Sequence, residues 1–169
     1  ILAIEPNVYD HHLKLALFFD QQRQYDKAEA TLREALRLDP DSEQRHLALA
    51  DYLAGRRDMA TAESALAEAH RALPHAMNIQ FALGRLYETH QQPAKARATY
   101  EDIRDHNRSK PAGGSAKVKL AALDWAEGKQ EAATQQLQEV FRDNPRASDA
   151  LMLEGRIALW DDKSAIYVA

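Results

Sequence analysis

Apolar residues recur along this chain at intervals of three and four, and the whole pattern repeats about every 34 residues. In one type of segment, a small residue, a leucine and a second small or branched residue share one helix face. We expect each such stripe to form a helix whose alanines let a neighbouring backbone come close. The stripes are Ala28, Leu32 and Ala35, then Ala62, Leu66 and Ala69, then Ala133, Leu137 and Val140.

A second type of segment precedes the stripes and contains a leucine followed by a small residue. A large apolar side chain follows the small residue after one further helical turn, except in the fourth segment, where Asp124 stands there. The small residue marks a tight helix crossing, so these segments predict the first helix of each pair. The pairs and their followers are Leu15-Ala16 with Phe19, Leu49-Ala50 with Leu53, Leu83-Gly84 with Tyr87, and Leu120-Ala121 with Asp124.

Short polar segments lie between the two helix types, and connections of this length make neighbouring helices antiparallel. The prolines give the period, since Pro6, Pro40 and Pro74 are 34 residues apart and Pro111 and Pro145 are again 34 apart. A fixed period of this length indicates stacked helix pairs. The pattern predicts helix pairs at residues 9–38, 43–72, 77–107 and 114–143, and one further helix at residues 147–160.

These residues resemble the tetratricopeptide repeat (TPR) family, in which a Leu-Gly-x-x-Tyr element is followed by an Ala-x-x-x-aromatic element and a closing Pro. Leu83-Gly84, Tyr87, Ala96 and Tyr100 match that signature best. The resemblance implies an all-α fold, a right-handed superhelical solenoid of stacked antiparallel helix pairs. The chain departs from the signature where His12, His46, Gln80 and Lys117 replace the tryptophan that often opens the motif.

The predicted organisation is a single TPR array over residues 1–169. Three extra residues near 105–110 make the third repeat longer than the others, so we expect a lengthened helix or a bulged loop there. We interpret the chain as a fragment of a longer array. Its predicted parts are 1–8 (end of a preceding repeat), 9–42, 43–76, 77–113 (the longer repeat), 114–147 and 148–169 (start of a truncated repeat).

Composition narrows the function class. The formal net charge of -4 disfavours nucleic acid as a partner, because nucleic-acid-binding domains are usually strongly basic. No apolar stretch reaches the roughly 18 to 20 residues of a membrane span, so we expect no direct membrane insertion. Catalytic motifs are absent, which predicts a protein that is not an enzyme. We also expect no cofactor and no metal, since His12 and His46 are 34 residues apart and fill one packing position twice.

In the TPR family the first helices line a concave groove that receives peptides or partner helices. The resemblance therefore implies a groove of mainly apolar residues with scattered charges. Leucines and aromatics at helical spacing are equally expected in a core, and we expect Phe81 and Trp125 to be the more exposed of the set. The predicted groove residues are Leu13, Leu17, Leu47, Asp51, Phe81, Arg85, Val118, Trp125, Met152 and Arg156.

One basic cluster surrounds the irregular third repeat. A solvated loop is the interpretation that we favour, because local charge runs usually face water. The alternative is a docking site for an acidic partner. The cluster consists of Arg104, Arg108, Lys110, Lys117 and Lys119.

We therefore predict a protein–protein interaction scaffold that binds a peptide or partner protein in an apolar groove, with Asp51, Arg85, Arg156 and the basic cluster setting specificity. The alternative is a structural spacer, or a segment that self-associates through its C-terminal helix, with no groove ligand. Periplasm and cytoplasm both stay open as compartments. Richness in Ala, Gln and Arg favours a bacterial source, and we lean towards an envelope or secretion assembly by analogy.

Overall fold

The computed structural model describes residues 9–168, with side chains for residues 9–159. Within that range the chain is all-α, as predicted, and the connections within and between helix pairs are short. The predicted end of a preceding repeat at residues 1–8 lies outside the described part. The helices are α1 (Tyr9–Gln21), α2 (Tyr25–Leu38), α3 (Glu43–Arg56), α4 (Met59–Ala72), α5 (Met77–Thr89), α6 (Pro93–His106), α7 (Pro111–Ala126), α8 (Gln130–Asp143) and α9 (Ser148–Val168).

The chain divides into two compact units, one ending at Gln92 and the other beginning at Pro93. The first unit contains α1 to α5 and the second contains α6 to α9. Each unit has a core of its own. In the first unit it includes Leu32, Leu49, Leu53, Leu66 and Ile79, and in the second it includes Val118, Ala121, Leu137, Val140 and Leu153.

The stripe alanines explain how the helices of each unit come close. Ala28, Ala62 and Ala133 occupy one repeat position, and each has 0% of its surface exposed. A larger side chain at this position would separate the helix from its neighbour, because protein interiors leave no spare volume. The 34-residue pattern of small residues thus corresponds to equivalent buried positions.

Three of the four turns inside helix pairs contain a residue with a positive φ angle. Arg23, Gln91 and Gly128 occupy one repeat position and have positive φ angles of 58°, 56° and 77°. This left-handed conformation ends the first helix of each of these pairs. Arg57 holds the same position after α3 but has φ -118°, and there the second helix begins directly after Asp58, whose carboxylate accepts a hydrogen bond from the Thr61 N–H at 2.8 Å.

The three extra residues of the third repeat lengthen a helix. The connectors before α3, α5, α7 and α9 all have four residues, whereas α7 has 16 residues against 13 or 14 in the other first helices α1, α3 and α5. The helix begins at Pro111, three residues before the predicted start at residue 114. Pro40, Pro74 and Pro145 lie in connectors, but Pro111 is the first residue of α7, so the proline spacing misplaced the insertion. Proline fits both places, because the first helical position needs no N–H donor.

The extra turn of α7 packs tightly on the connector that precedes it. Gly113 donates its N–H to the Lys110 carbonyl oxygen at 3.0 Å, and a Cβ atom on Gly113 would lie 2.2 Å from the Asn107 carbonyl oxygen. Asn107 is itself 7% exposed and donates from Nδ2 to the Ile103 carbonyl oxygen at 2.9 Å. Glycine at position 113 is therefore what lets the additional turn sit against the connector.

Candidate functional site

The first helices of the first unit place residues at 34-residue spacing on one face. Packing brings α3 beside α5, and the Tyr9 hydroxyl on α1 donates to the Gln44 carbonyl oxygen on α3 at 3.3 Å. Residues four apart on a helix share a face, so this face carries two rows. The inner row is Leu13, Leu47 and Phe81, all half-buried, and the outer row is Leu17, Asp51 and Arg85, all exposed.

An apolar groove of about 450 Å³ separates α1 from α3. Two small residues, Ala16 and Ala48, lie in it, and Leu13 and Leu17 line the α1 side. Leu17 is 57% exposed, so more than half of its apolar side chain faces solvent at the edge of the groove. The groove therefore offers open apolar surface to another molecule.

An ion pair stands at this groove. The Arg56 guanidinium donates two hydrogen bonds to the Asp20 carboxylate, at 2.7 and 2.6 Å, and its Cζ atom lies 5.4 Å from the centre of the Tyr25 ring. Sequence reasoning missed this pair, because its members are 36 residues apart and neither belongs to a repeat motif. The bidentate pair links α1 to α3 at the edge of the groove.

Two charges on the same face have no such partner. Within residues 9–159, the side chains of Asp51 and Arg85 make no hydrogen bond or ion pair. Asp51 also lines the groove between α1 and α3. These two side chains are available to a ligand, whereas Asp20 and Arg56 neutralise each other.

The predicted groove residues of the second unit differ in exposure. Val118 is only 7% exposed and packs in the core, so it belongs to the core rather than to an open surface. Trp125 is half-buried against the same core. Met152 is 62% exposed on α9, and Arg156 is exposed one turn later. The expectation that Phe81 and Trp125 would be the most exposed members is wrong, because Leu17 and Met152 exceed both.

The basic cluster is partly neutralised by acidic residues. Arg104 pairs with Asp105 at 3.1 Å, Arg108 approaches Asp105 at 3.4 Å, and Lys117 pairs with Glu139 at 2.8 Å. The Lys117 ammonium holds the pKa of the Glu139 carboxyl below its usual value through a hydrogen bond. Within residues 9–159, the side chains of Lys110 and Lys119 make no hydrogen bond or ion pair.

A cleft of about 710 Å³ lies beside this cluster, between the connector before α7 and the start of α9. Arg108, Lys110 and Lys117 line it together with Asp143 and Asp149, whereas Arg104 and Lys119 do not. The acidic residues reduce the positive potential that an acidic partner would need. The geometry thus agrees better with a solvated loop than with a purely basic docking site.

Histidines take part in local packing. His12 is 2% exposed, and Nε2 of His46 lies 2.9 Å from the Pro40 carbonyl oxygen, a distance at which the ring N–H donates. Among the side chains of residues 9–159, no group of three or more histidine, aspartate or glutamate side chains is arranged to hold a metal ion. In the described part of the chain, no helix combines the length and the apolar character that crossing a bilayer requires.

Comparison with known proteins agrees with this architecture. Two family models described as tetratricopeptide repeat match the sequence, one over residues 10–52 and the other over residues 47–113. No curated protein sequence matches the chain significantly.

Several solved structures share the fold. The structure of MamA has a TM-score of 0.57 and 20% sequence identity, and the match covers 93% of this chain and 84% of MamA. The pilF structure of Pseudomonas aeruginosa has a TM-score of 0.59 and 23% identity over 96% of this chain and 73% of that protein. YrrB, described as a TPR protein with an unusual peptide-binding site, has a TM-score of 0.52 and 17% identity over 95% of this chain and 81% of its own. Similarity at these identities shows the fold alone.

Proposed function

Because this chain belongs to the tetratricopeptide repeat family, whose fold is a scaffold for protein–protein interactions, we propose that the first unit binds a peptide segment of a partner protein. The binding site is the groove between α1 and α3 together with the outer row beside it. The observation that carries this proposal is Leu17, 57% exposed at the edge of an apolar groove. YrrB supports it at the level of the fold, since a protein of this architecture carries a peptide-binding site.

The physical reason for binding is a surface that already has its bound shape. Helix packing and the Asp20–Arg56 ion pair hold the groove walls, so little conformational entropy is lost there when a ligand enters. Burial of the exposed part of Leu17 then contributes favourably, at about 25 cal/mol per Å² of apolar surface removed from water. Several such contacts, each modest, give useful affinity.

The test compares two exposed apolar residues that are neighbours in sequence. Peptides selected on the 169-residue chain from a displayed library are titrated against the wild type, Leu17→Ala and Phe18→Ala. Phe18 is 53% exposed but does not line the groove, so it is the matched control. We expect Leu17→Ala to raise the dissociation constant about tenfold, a loss of about 1.4 kcal/mol, with an unchanged melting temperature. Equal effects of the two substitutions would refute the groove as the site.

A second candidate function is self-association through α9. Leu151, Met152 and Leu159 are 47%, 62% and 64% exposed, so the described part of α9 presents three large apolar side chains to solvent. Sedimentation equilibrium tests this candidate, because Met152→Glu should shift the chain towards the monomer. A chain that is monomeric before the substitution excludes it.

We propose no catalytic activity for this chain, and binding alone accounts for the arrangement of its groove. The basic cluster contributes at most a secondary contact, because three of its five members face acidic partners. The location in a bacterial envelope or secretion assembly stays a prediction. Fractionation of the source cells, followed by immunodetection of the native protein, tests it directly.

A further inference from the structure

The residues of the outer row differ in chemical character from one helix to the next. Passing from α1 to α3 to α5, one repeat position is occupied by an apolar residue, Leu17, then by an anion, Asp51, then by a cation, Arg85. The inner row beside it stays apolar throughout, with Leu13, Leu47 and Phe81. The face therefore keeps a constant apolar background and changes character only along the outer row.

The two charges of the row are free to select a ligand. Asp51 and Arg85 are exposed and make no polar side-chain contact within residues 9–159. The other charged residues that line the groove, Asp20 and Arg56, pair with each other. Within the outer row, the charge pattern is thus one negative position followed by one positive position.

We propose that this face selects an extended segment that carries an apolar, a basic and an acidic side chain in that order, each about three residues from the next. The inference rests on the proposed function and specifies its ligand. The apolar side chain enters the groove beside Leu17, the basic one meets Asp51, and the acidic one meets Arg85. Opposite charges in register favour the correct ligand, and like charges in register reject the inverted one.

The spacing follows from helix geometry. Helices α3 and α5 pack on each other, so Asp51 and Arg85 are about 8–10 Å apart. Leu17 and Asp51 line the same groove from its two sides. A polyproline II segment has three residues per turn and rises about 3.1 Å per residue, which returns a side chain to the same face every 9 Å or so. Every third residue of such a segment therefore reaches the next first helix.

A helical ligand fits this face less well. A helix with its side chains is about 10–12 Å across. Lying across three first helices, it would rest on the exposed side chains of Leu17 and Arg85 without reaching Ala16 and Ala48 in the groove. An extended backbone is thin enough for single side chains to enter.

The experiment uses four labelled, end-blocked peptides of identical composition. Two have the proposed order, Leu-Pro-Pro-Arg-Pro-Pro-Glu and its reverse, because the face does not set the direction of the ligand chain. Two have the charges exchanged, Leu-Pro-Pro-Glu-Pro-Pro-Arg and its reverse. Fluorescence anisotropy at low ionic strength should give about tenfold tighter binding for one of the first two than for either of the others, and the difference should shrink in salt.

A charge-exchanged protein supplies the decisive comparison. Asp51→Arg/Arg85→Asp should invert the preference, whereas Glu68→Arg/Arg71→Glu, an exchange on exposed residues of α4, should leave it unchanged. Equal binding of both charge orders that is weakened by Leu17→Ala would overturn the inference and leave the proposed groove intact. Absence of binding by all four peptides would also overturn the inference. The proposed groove is tested separately, by the library peptides and the Leu17→Ala and Phe18→Ala variants.

Discussion

Half-buried Arg97 and buried Asp124 form an ion pair at the two repeat positions that Glu63 and Tyr87 occupy earlier in the chain. In the second unit, Nη2 of Arg97 donates to Oδ1 of Asp124 at 2.7 Å, and Gln136 donates to the other carboxylate oxygen. In the first unit, the Tyr87 hydroxyl donates to Oε1 of Glu63 at 2.7 Å. The same link between a second helix and the following first helix is thus made with donor and acceptor exchanged.

Removal of the carboxylate should destabilise the second unit. Asp124 is 4% exposed, so Asp124→Ala leaves Gln136 without its acceptor and Arg97 with Glu127 as its remaining acceptor, at a cost of about 2 kcal/mol. The position of Asp124 is occupied by the buried Leu53 in α3, so a leucine fits there. We therefore expect Arg97→Met/Asp124→Leu to change the free energy of unfolding little. Urea denaturation followed by circular dichroism measures both. A double variant no more stable than Asp124→Ala would contradict this account.

Two adjacent glycines in α7 should respond oppositely to alanine. Gly113→Ala places a methyl group against the Asn107 carbonyl oxygen, so we expect a loss of about 2 kcal/mol. A Cβ atom on Gly114 meets no atom within 4 Å, and Gly114→Ala should gain up to about 1 kcal/mol from helix propensity. Thermal denaturation of the two variants gives the comparison. Similar melting temperatures would mean that the extra turn does not press on the connector.

The repeat architecture could be predicted from sequence because a larger side chain cannot replace the small residues where helices pack closely. Ala28, Ala62 and Ala133 lie at equal spacing from a proline, and each is completely buried. The insertion was harder to place, since Pro111 is as compatible with a helix start as with a connector. The 16-residue length of α7, beside connectors of constant length, shows that the extra turn belongs to this helix.

The repeat pattern could not predict ion pairs between residues far apart in sequence, or the exposure of single side chains. In sequence, Asp124 departs from the apolar residue of the other repeats. The reason for the carboxylate is its partner Arg97, which lies 27 residues away on α6. The exposure of Leu17 had no signal either, since leucine at that helical spacing is as common in a core. Val118 shows the reverse error, a predicted groove residue that packing buries.

The turn between α7 and α8 should require glycine at position 128 because of its backbone conformation, and not because of limited space for a side chain. Its φ of 77° is in the left-handed region, and no atom lies within 4 Å of a Cβ built there. Gly128→Ala should therefore cost about 1 kcal/mol from backbone strain. Gly55 in α3 is the matched control, because it is equally open but has no positive φ, so Gly55→Ala should gain up to about 1 kcal/mol. Chemical denaturation that ranks the two variants the other way would refute this explanation of the turn.

The Tyr87–Glu63 hydrogen bond should be visible in an alkaline titration. Burial, and then the hydrogen bond to the Glu63 carboxylate, raise the pKa of Tyr87 to about 12. A folded pKa above the unfolded value of about 10 means that the native state holds this proton longer. The stabilisation is therefore complete below about pH 10 and is lost as the pH rises towards 12.

Ultraviolet difference absorbance of tyrosinate follows that ionisation. Tyr87→Phe should remove one component that titrates near pH 12, whereas Glu63→Gln, which deletes the charge and keeps an acceptor oxygen, should lower the pKa of Tyr87 and bring its ionisation earlier. The two variants separate the electrostatic cause from burial, because Glu63→Gln leaves burial in place. If the titration of Glu63→Gln matched that of the wild type, the carboxylate would have no part in the shift, and burial alone would account for it.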